Sequence, residues 1–352
     1  MTQHIQSIWE VLVHAGVVKG TAPERNNPES PWFLKILTAF SAWFAALLLI
    51  FFIALAFESL LNDESTLLFL GLIMTGSAFA MLRITGNDFK EHLALAISLT
   101  GQACILFAIV QSSNNVEKNI WLQLAMMQGV LAVIMPHFVH RIFSTMVATM
   151  AVYIYLDILK NPGFLNGFVL IFAALCWLNE FYDSRHMEKV RAVGYGLVLA
   201  FLLIQMMGLF DFFELEIKMA HDKPGFLVGE FSAGMAALYS IWRILERYKL
   251  KMLENIAIAA LMGILFFAAS AIGLSGLSAG VTLIVLGFSA SNRMLLGLGL
   301  TSLLLFITSY YYLLGTSLLY KSVSLAGIGA ILLLLRWLLP HIVSSLKEIH
   351  HA

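Results

Sequence analysis

The sequence predicts an all-α, polytopic transmembrane helix bundle of about twelve spans, with both termini on the cytoplasmic side. Three observations predict it. First, 60% of the 352 residues are hydrophobic and 12% charged, against about 25% charged in a soluble domain, and mean hydropathy is +0.86. Second, the apolar residues fall in runs close to the roughly 20 residues that cross a bilayer. Third, the basic residues sort by side. Alternating spans place 16 of the 21 Lys and Arg with the N-terminus and leave only Lys118, Lys160, Lys218, Lys223 and Lys321 opposite, the asymmetry of the positive-inside rule.

Residues 1–31 read as a cytoplasmic amphipathic helix and linker. Apolar residues at 5, 8, 11, 12 and 15 form a helical stripe that Gly16 can close, and "KGTAPERNNPESP" is polar and rich in turn residues. Met1 to Glu10 lacks a basic stretch followed by a long apolar one, so no cleaved signal peptide is expected. The membrane domain is 32–340, with spans at 36–57, 66–82, 93–112, 119–135, 142–158, 164–182, 192–212, 226–243, 254–273, 276–291, 294–313 and 322–339. Two are unusual: 226–243 contains Glu230, and 276–291 is short and rich in glycine and serine. Residues 341–352 form a cytoplasmic tail. The formal net charge of zero hides a balance of about −5 outside and +5 inside, since 10 of the 21 acids fall on the outer side.

The connections are too short for a soluble enzymatic domain. There is no G-x-x-x-x-G-K-[ST] stretch, so an ATP-driven motor is excluded for this chain. Gly194-Tyr-Gly196 and Gly297-Leu-Gly299 lie inside apolar runs and read as helix-packing glycines. Cys104 and Cys176 read as small buried apolar residues, with no disulfide framework. His137 and His140, beside Pro136 and Arg141, have no carboxylate or thiol neighbour in sequence, and read as interfacial histidines in a cytoplasmic turn. No cofactor, metal or nucleic acid is expected.

The candidate polar residues are those in or beside the apolar runs, because an ionisable group there is expensive. Glu230 lies about a turn from the outer end of its span, placed for a proton or cation ligand or for a structural pair. Glu180, in "CWLNEFYDSRHMEK", reads as a solvated member of an ion-pair cluster with Asp183 and Arg185. Asp157 has Lys160 three residues on and can form a local helix pair. Lys321 and Arg336 bracket the last span, each able to snorkel to its own interface. Lys321 opposes the charge bias and is expected to pair with an outer carboxylate, Asp157, Glu230 or one of Glu58, Asp63 and Glu64. No span carries a charge near its centre, which weakens an ion-coupled transport reading.

"YYYLLGTSLLYKSVSLAGIGAILLLLRWL", with "IWEVLVHAGVVKGTAP" and "SPWFLKILTAFSAWFAALLLIFF" at the other end, resembles the bacterial DUF4401 membrane family. The most specific part is the tyrosine run Tyr310–Tyr312 followed by Thr316, Leu318, Leu319, Lys321, Ser322, a glycine at 327 or 329, and Arg336. The resemblance implies a multipass inner-membrane protein, similar to the DUF2157 group and without an assigned activity or catalytic residues. It further implies a small membrane-anchored partner of the GDYXXLXY family, encoded nearby. The sequence therefore predicts a non-enzymatic component of an envelope complex, with a secondary transporter or lipid-handling protein as the alternative.

Overall fold

Long runs without Gly–Pro punctuation, rich in Leu, Ala, Met and Phe, have one way to satisfy their backbone polar groups in an apolar solvent, the α-helix. The computed structural model describes residues 63–84, 88–112, 116–159, 163–180, 182, 186–214, 224–247 and 277–313, with isolated positions between 13 and 55 and between 319 and 333. Among them are nine helices: α1 (Glu64–Arg83), α2 (Asp88–Ser112), α3 (Val116–Ile134), α4 (Phe138–Ile158), α5 (Gly163–Leu178), α6 (Met187–Glu214), α7 (Pro224–Arg247), α8 (Leu277–Ser289) and α9 (Arg293–Leu313). Each coincides with one expected run to within a few residues, and no strand occurs among the described residues. The run at 254–273 lies outside the described residues, as do most positions of 36–57 and 322–339.

Among the described residues four helices are long and apolar enough to cross a membrane: Glu64–Arg83, Lys90–Ser112, Phe138–Ile158 and Met187–Met207. They point to a membrane protein. Ile120–Ile134, Leu165–Leu178, Ala279–Ser289 and Arg293–Thr308 are apolar but shorter. The 13 residues of α8 rise only about 20 Å at 1.5 Å per residue, against a hydrocarbon core of about 30 Å.

Packing divides the chain into two units, with the boundary running through α1 and α2. In the unit that holds Leu70–Ala103, α2 meets α1 at Gly101, where an added Cβ would lie 2.6 Å from Thr75 Oγ1 and 2.8 Å from the Gly71 carbonyl. Ser98, Thr100 and Gln102 are buried there, and Gln102 Nε2 donates to Ser98 Oγ at 3.0 Å.

In the other unit α3 and α4 form a hairpin, α4 lies against α6, and α6 also meets α5 and α9. α7 packs on α5 and α8, and α8 on α9. The core centres on Val169, Leu170, Trp177, Phe201, Leu283 and Leu295. The outward surface, not the core, departs from that of a soluble domain. The buried positions of α4 are His140, Arg141, Ser144, Thr145, Thr149 and Ala151, while Val133, Phe288, Phe231 and Leu304 project outward at 63–76% exposure. Small and polar side chains join large apolar ones between the helices, while further large apolar side chains face away, an outward surface suited to lipid.

Glycine makes the close approaches. A Cβ at Gly196 would fall 2.6 Å from Thr145 Cβ and 2.7 Å from the Ile142 carbonyl, so α6 lies almost on the backbone of α4. In the α8–α9 hairpin a Cβ at Gly287 would lie 2.5 Å from Leu296 N, and one at Gly299 2.7 Å from Ile284 N. Gly297 has nothing within 4 Å; of the Gly297–Gly299 pair only the second acts in packing. The hairpin turns through Ser291 in the left-handed region (φ 51°). Asn292 N donates to Gly287 O at 2.9 Å and Ser291 N to Phe288 O at 3.1 Å, the paired bonds of a Schellman end.

These contacts separate the two glycines experimentally. Gly287→Ala is expected to lose about 1–3 kcal/mol by overpacking against backbone that cannot yield. Gly297→Ala is expected to be neutral or to gain up to about 1 kcal/mol from reduced unfolded-chain freedom. Thermal unfolding in detergent checks both.

Candidate functional site: a polar junction at one end of the second unit

Antiparallel alternation brings the α3–α4 turn, the α5–α6 connection, the C-terminal end of α7 and the α8–α9 turn to a common end, and side chains tie them together there. Arg141 begins the junction. It is 3% exposed and turns back on the end of α3, donating from Nε to Ala132 O at 2.7 Å. Its Nη2 donates to Met135 O at 2.5 Å and, at 3.5 Å, to Val133 O. The last carbonyls of a helix lack intrahelical partners and carry the negative end of its dipole, so a guanidinium matches them in geometry and in sign. Beside it His140, 2% exposed, shares a hydrogen bond with Ser144 Oγ at 3.1 Å.

The second tie spans α5 and α6. Glu180 is 2% exposed and receives Arg191 on one oxygen, Oε1, from Nη2 at 2.5 Å and from Nε at 2.6 Å. Its chain neighbour Asn179 accepts from Arg243 Nη2 of α7 at 3.3 Å through Oδ1, and Arg243 Nη1 donates to Glu246 at 2.9 Å. Residues 179 and 180 thus hold one arginine each, from two different helices.

The third tie is Tyr195, flanked by Gly194 and Gly196. Its ring meets Trp177 edge-on at 4.8 Å and Phe138 at 6.3 Å. Its hydroxyl donates to Asn292 Oδ1 at 3.0 Å and accepts from Asn292 Nδ2 at 2.7 Å. Asn292 Oδ1 also accepts Met294 N and Leu295 N at 3.1 Å each, which makes it the N-cap of α9. Deeper in the bundle, Ser302 Oγ donates to Gln205 Oε1 at 3.0 Å and links α9 to α6 a second time.

Of the residues singled out in the sequence, the structure relocates Glu180. It is a buried carboxylate bonded to Arg191, eleven residues on, and not a solvated one; Asp183 and Arg185 lie outside the described residues. His140 likewise departs from the interfacial reading, since α4 starts at Phe138 and carries it into the packed face. Asp157 is exposed in the last turn of α4 and makes no ion pair among the described residues; Lys160 lies outside them. The side chain of Glu230 lies outside the described residues, as do Lys321 and Arg336, and with them the expected pairing of Lys321. Among the described residues no group of three His, Cys, Asp or Glu is placed to hold a metal ion.

A family model described as a domain of unknown function, DUF4401, matches residues 31–342. The chain belongs to the DUF4401 family. No curated protein and no solved structure matches it. In this DUF4401 protein the residues that organise the junction are Arg141, Arg191, Arg243, Tyr195 and Asn292, none of which stood out in the sequence. For two of them a signal was present: Arg141 is a cation with no acid within a turn of it, and Asn292 starts the only polar break between two apolar runs.

Arg141 gives the sharpest test of the junction's structural role. Arg141→Gln leaves buried carbonyls short of donors and should destabilise by about 2–4 kcal/mol. Arg141→Lys keeps the charge but not the fork and should fall between Gln and wild type. Denaturant unfolding in micelles orders the three; equal stability of all three would remove Arg141 from the account.

Proposed function

We propose that this DUF4401 protein is a multi-pass protein of the bacterial cytoplasmic membrane, with twelve spans and both termini inside. In this reading it acts without catalysing a reaction, as the helical component of an envelope complex with a small membrane-anchored partner of the GDYXXLXY kind. The observation that carries the reading is the apolar outward surface of the described helices. Polar side chains such as Arg141, Glu180, Asn292 and Gln205 are consumed in helix-to-helix ties, and the outward surface is large and apolar, suited to lipid and to a neighbouring helix. Co-expression with the chromosomal neighbours and purification in mild detergent is expected to return a stable complex through size exclusion. Recovery as a lone monomer under those conditions would sink the partner.

One observation favours the alternative of a transporter or lipid-handling protein. α5 and α7 touch where a Cβ at Gly167 would strike the Ser232 hydroxyl and the Gly229 carbonyl, and Asn166 Oδ1 is buried beside that contact with no partner among the described residues. Residue 230 follows Gly229 directly. If this seam conducts a coupling ion, Glu230→Gln abolishes proton- or sodium-dependent flux in proteoliposomes, and wild-type flux in that variant removes Glu230 from any mechanism.

A further inference from the structure

We propose that Arg191 and Arg243 form a preorganised site for a phosphate-centred anion, the headgroup of an anionic lipid, at the polar end of the helical unit. The proposal rests on that end lying at the membrane surface, as the topology above has it.

The argument begins with what these arginines do not need. An arginine near a helix end reaches the headgroup region unaided by extending its stem. Burying a carboxylate to hold it is unfavourable, because desolvation of the pair offsets much of their attraction. Yet Glu180 is 2% exposed and grips Arg191 through one oxygen, while the Arg191 side chain remains 39% exposed. Nε and Nη2 are engaged, and Nη1 has no partner among the described residues. Arg243 is held differently, by Glu246, itself 60% exposed, through Nη1 and by Asn179 at 3.3 Å through Nη2; Nε has no partner among the described residues, and the side chain is again 39% exposed. Two guanidinium groups are therefore held through the consecutive residues 179 and 180, each 39% exposed and each with a nitrogen unpartnered among the described residues.

A fixed planar fork is what a phosphate oxygen selects, and fixing it beforehand removes ordering entropy from the binding step. The surroundings agree. Exposed Trp242 adjoins Arg243, and Tyr182, 93% exposed, follows Glu180 by two residues; tryptophan and tyrosine mark the headgroup level. The described side chains of this end include Arg141, Lys189, Arg191, Arg243 and Arg293 against Glu180, Glu188 and Glu246, a net positive end of the kind that collects anionic lipid.

The decisive variant is Glu180→Gln. If net charge alone attracts lipid, removing a carboxylate strengthens binding; if positioning matters, it weakens binding although the protein becomes more positive. Native mass spectrometry of the full chain in micelles, titrated with phosphatidylglycerol and with phosphatidylcholine, reads the difference. The expected result is about a tenfold loss of phosphatidylglycerol binding in Glu180→Gln, Arg191→Lys and Arg243→Lys, with Arg293→Gln near wild type. Should Glu180→Gln fail to fold, the two lysine variants, which keep the charge, carry the test. Unchanged binding in the lysine variants, or tighter binding in Glu180→Gln, overturns the proposal. Competition by millimolar inorganic phosphate would keep the site but assign it to soluble phosphate instead of lipid. Alkaline extraction of the protein from membranes separates the two readings: a chain that stays in the pellet but does not discriminate between lipids loses only the site, and one that is released loses the membrane topology as well.

Discussion

The helical unit depends on how closely α6 can approach its neighbours. Gly194 and Gly196 remove the side chains that would hold α5 and α4 away, and the intervening Tyr195 then reaches three elements at once. A Cβ at Gly194 would stand 3.0 Å from Trp177 Nε1, so any larger residue there pushes α5 outward and takes the Trp177–Tyr195 contact with it. Van der Waals attraction falls steeply with separation, and in lipid there is no hydrophobic drive to restore it. A local steric condition on two glycines thereby sets the spacing on which the α6–α9 tie through Asn292 and Gln205 depends. The same device recurs at Gly287 and Gly299, where α8 and α9 meet backbone to backbone.

Polar ties then fix what close packing leaves free, the rotation and axial register of each helix. A ring wedged between glycines can slide; a hydroxyl bonded to the cap residue of another helix cannot without breaking both bonds. Asn292 serves the Tyr195 hydroxyl and two backbone amides of α9 together, so the start of α9 and the face of α6 are set by one side chain. Arg141 does the same for α3 and α4. Two unrelated solutions, an amide and a guanidinium, meet one requirement, that helix ends near an apolar solvent find partners for their exposed backbone groups.

The helices were legible in the sequence because their signal is local. A run such as 119–135 announces a helix by length and composition, and the structure returns Val116–Ile134. The polar end was not legible, because its contacts join residues far apart in the chain: Tyr195 and Asn292 are 97 positions apart, Arg243 and Asn179 64. Glu180 shows why local reading fails here. With Asp183 and Arg185 close by it looked like a member of a wet charge cluster, and only the placement of α6 across the end of α5 reveals the carboxylate as enclosed. The spacing of eleven residues between Glu180 and Arg191 carries no helical signature, since a turn intervenes. The glycine pairs were half legible: composition flagged Gly194, Gly196, Gly297 and Gly299 alike, but whether a neighbour stands opposite is a property of the packing.

The position of the buried charges follows from the same physics. Arg141 and Glu180 sit at helix ends rather than mid-span, where the enclosing surface is thin and the partners are helix-terminal carbonyls and an arginine that itself reaches water. Deeper in the bundle the tie between α6 and α9 among the described residues is neutral, Gln205 with Ser302, because an amide and a hydroxyl satisfy one another with far less desolvation than an ion pair. Charge is therefore graded along the bundle, neutral hydrogen bonds within and ions at the rim. Such a gradient gathers the described buried ions at the rim of the unit, and it leaves the interior to shape. A protein that drove ions through this bundle would need the opposite grading somewhere along its length; among the described residues the α5–α7 seam around Gly167 holds one unpartnered buried amide oxygen, at Asn166, and α3 holds another at Gln123.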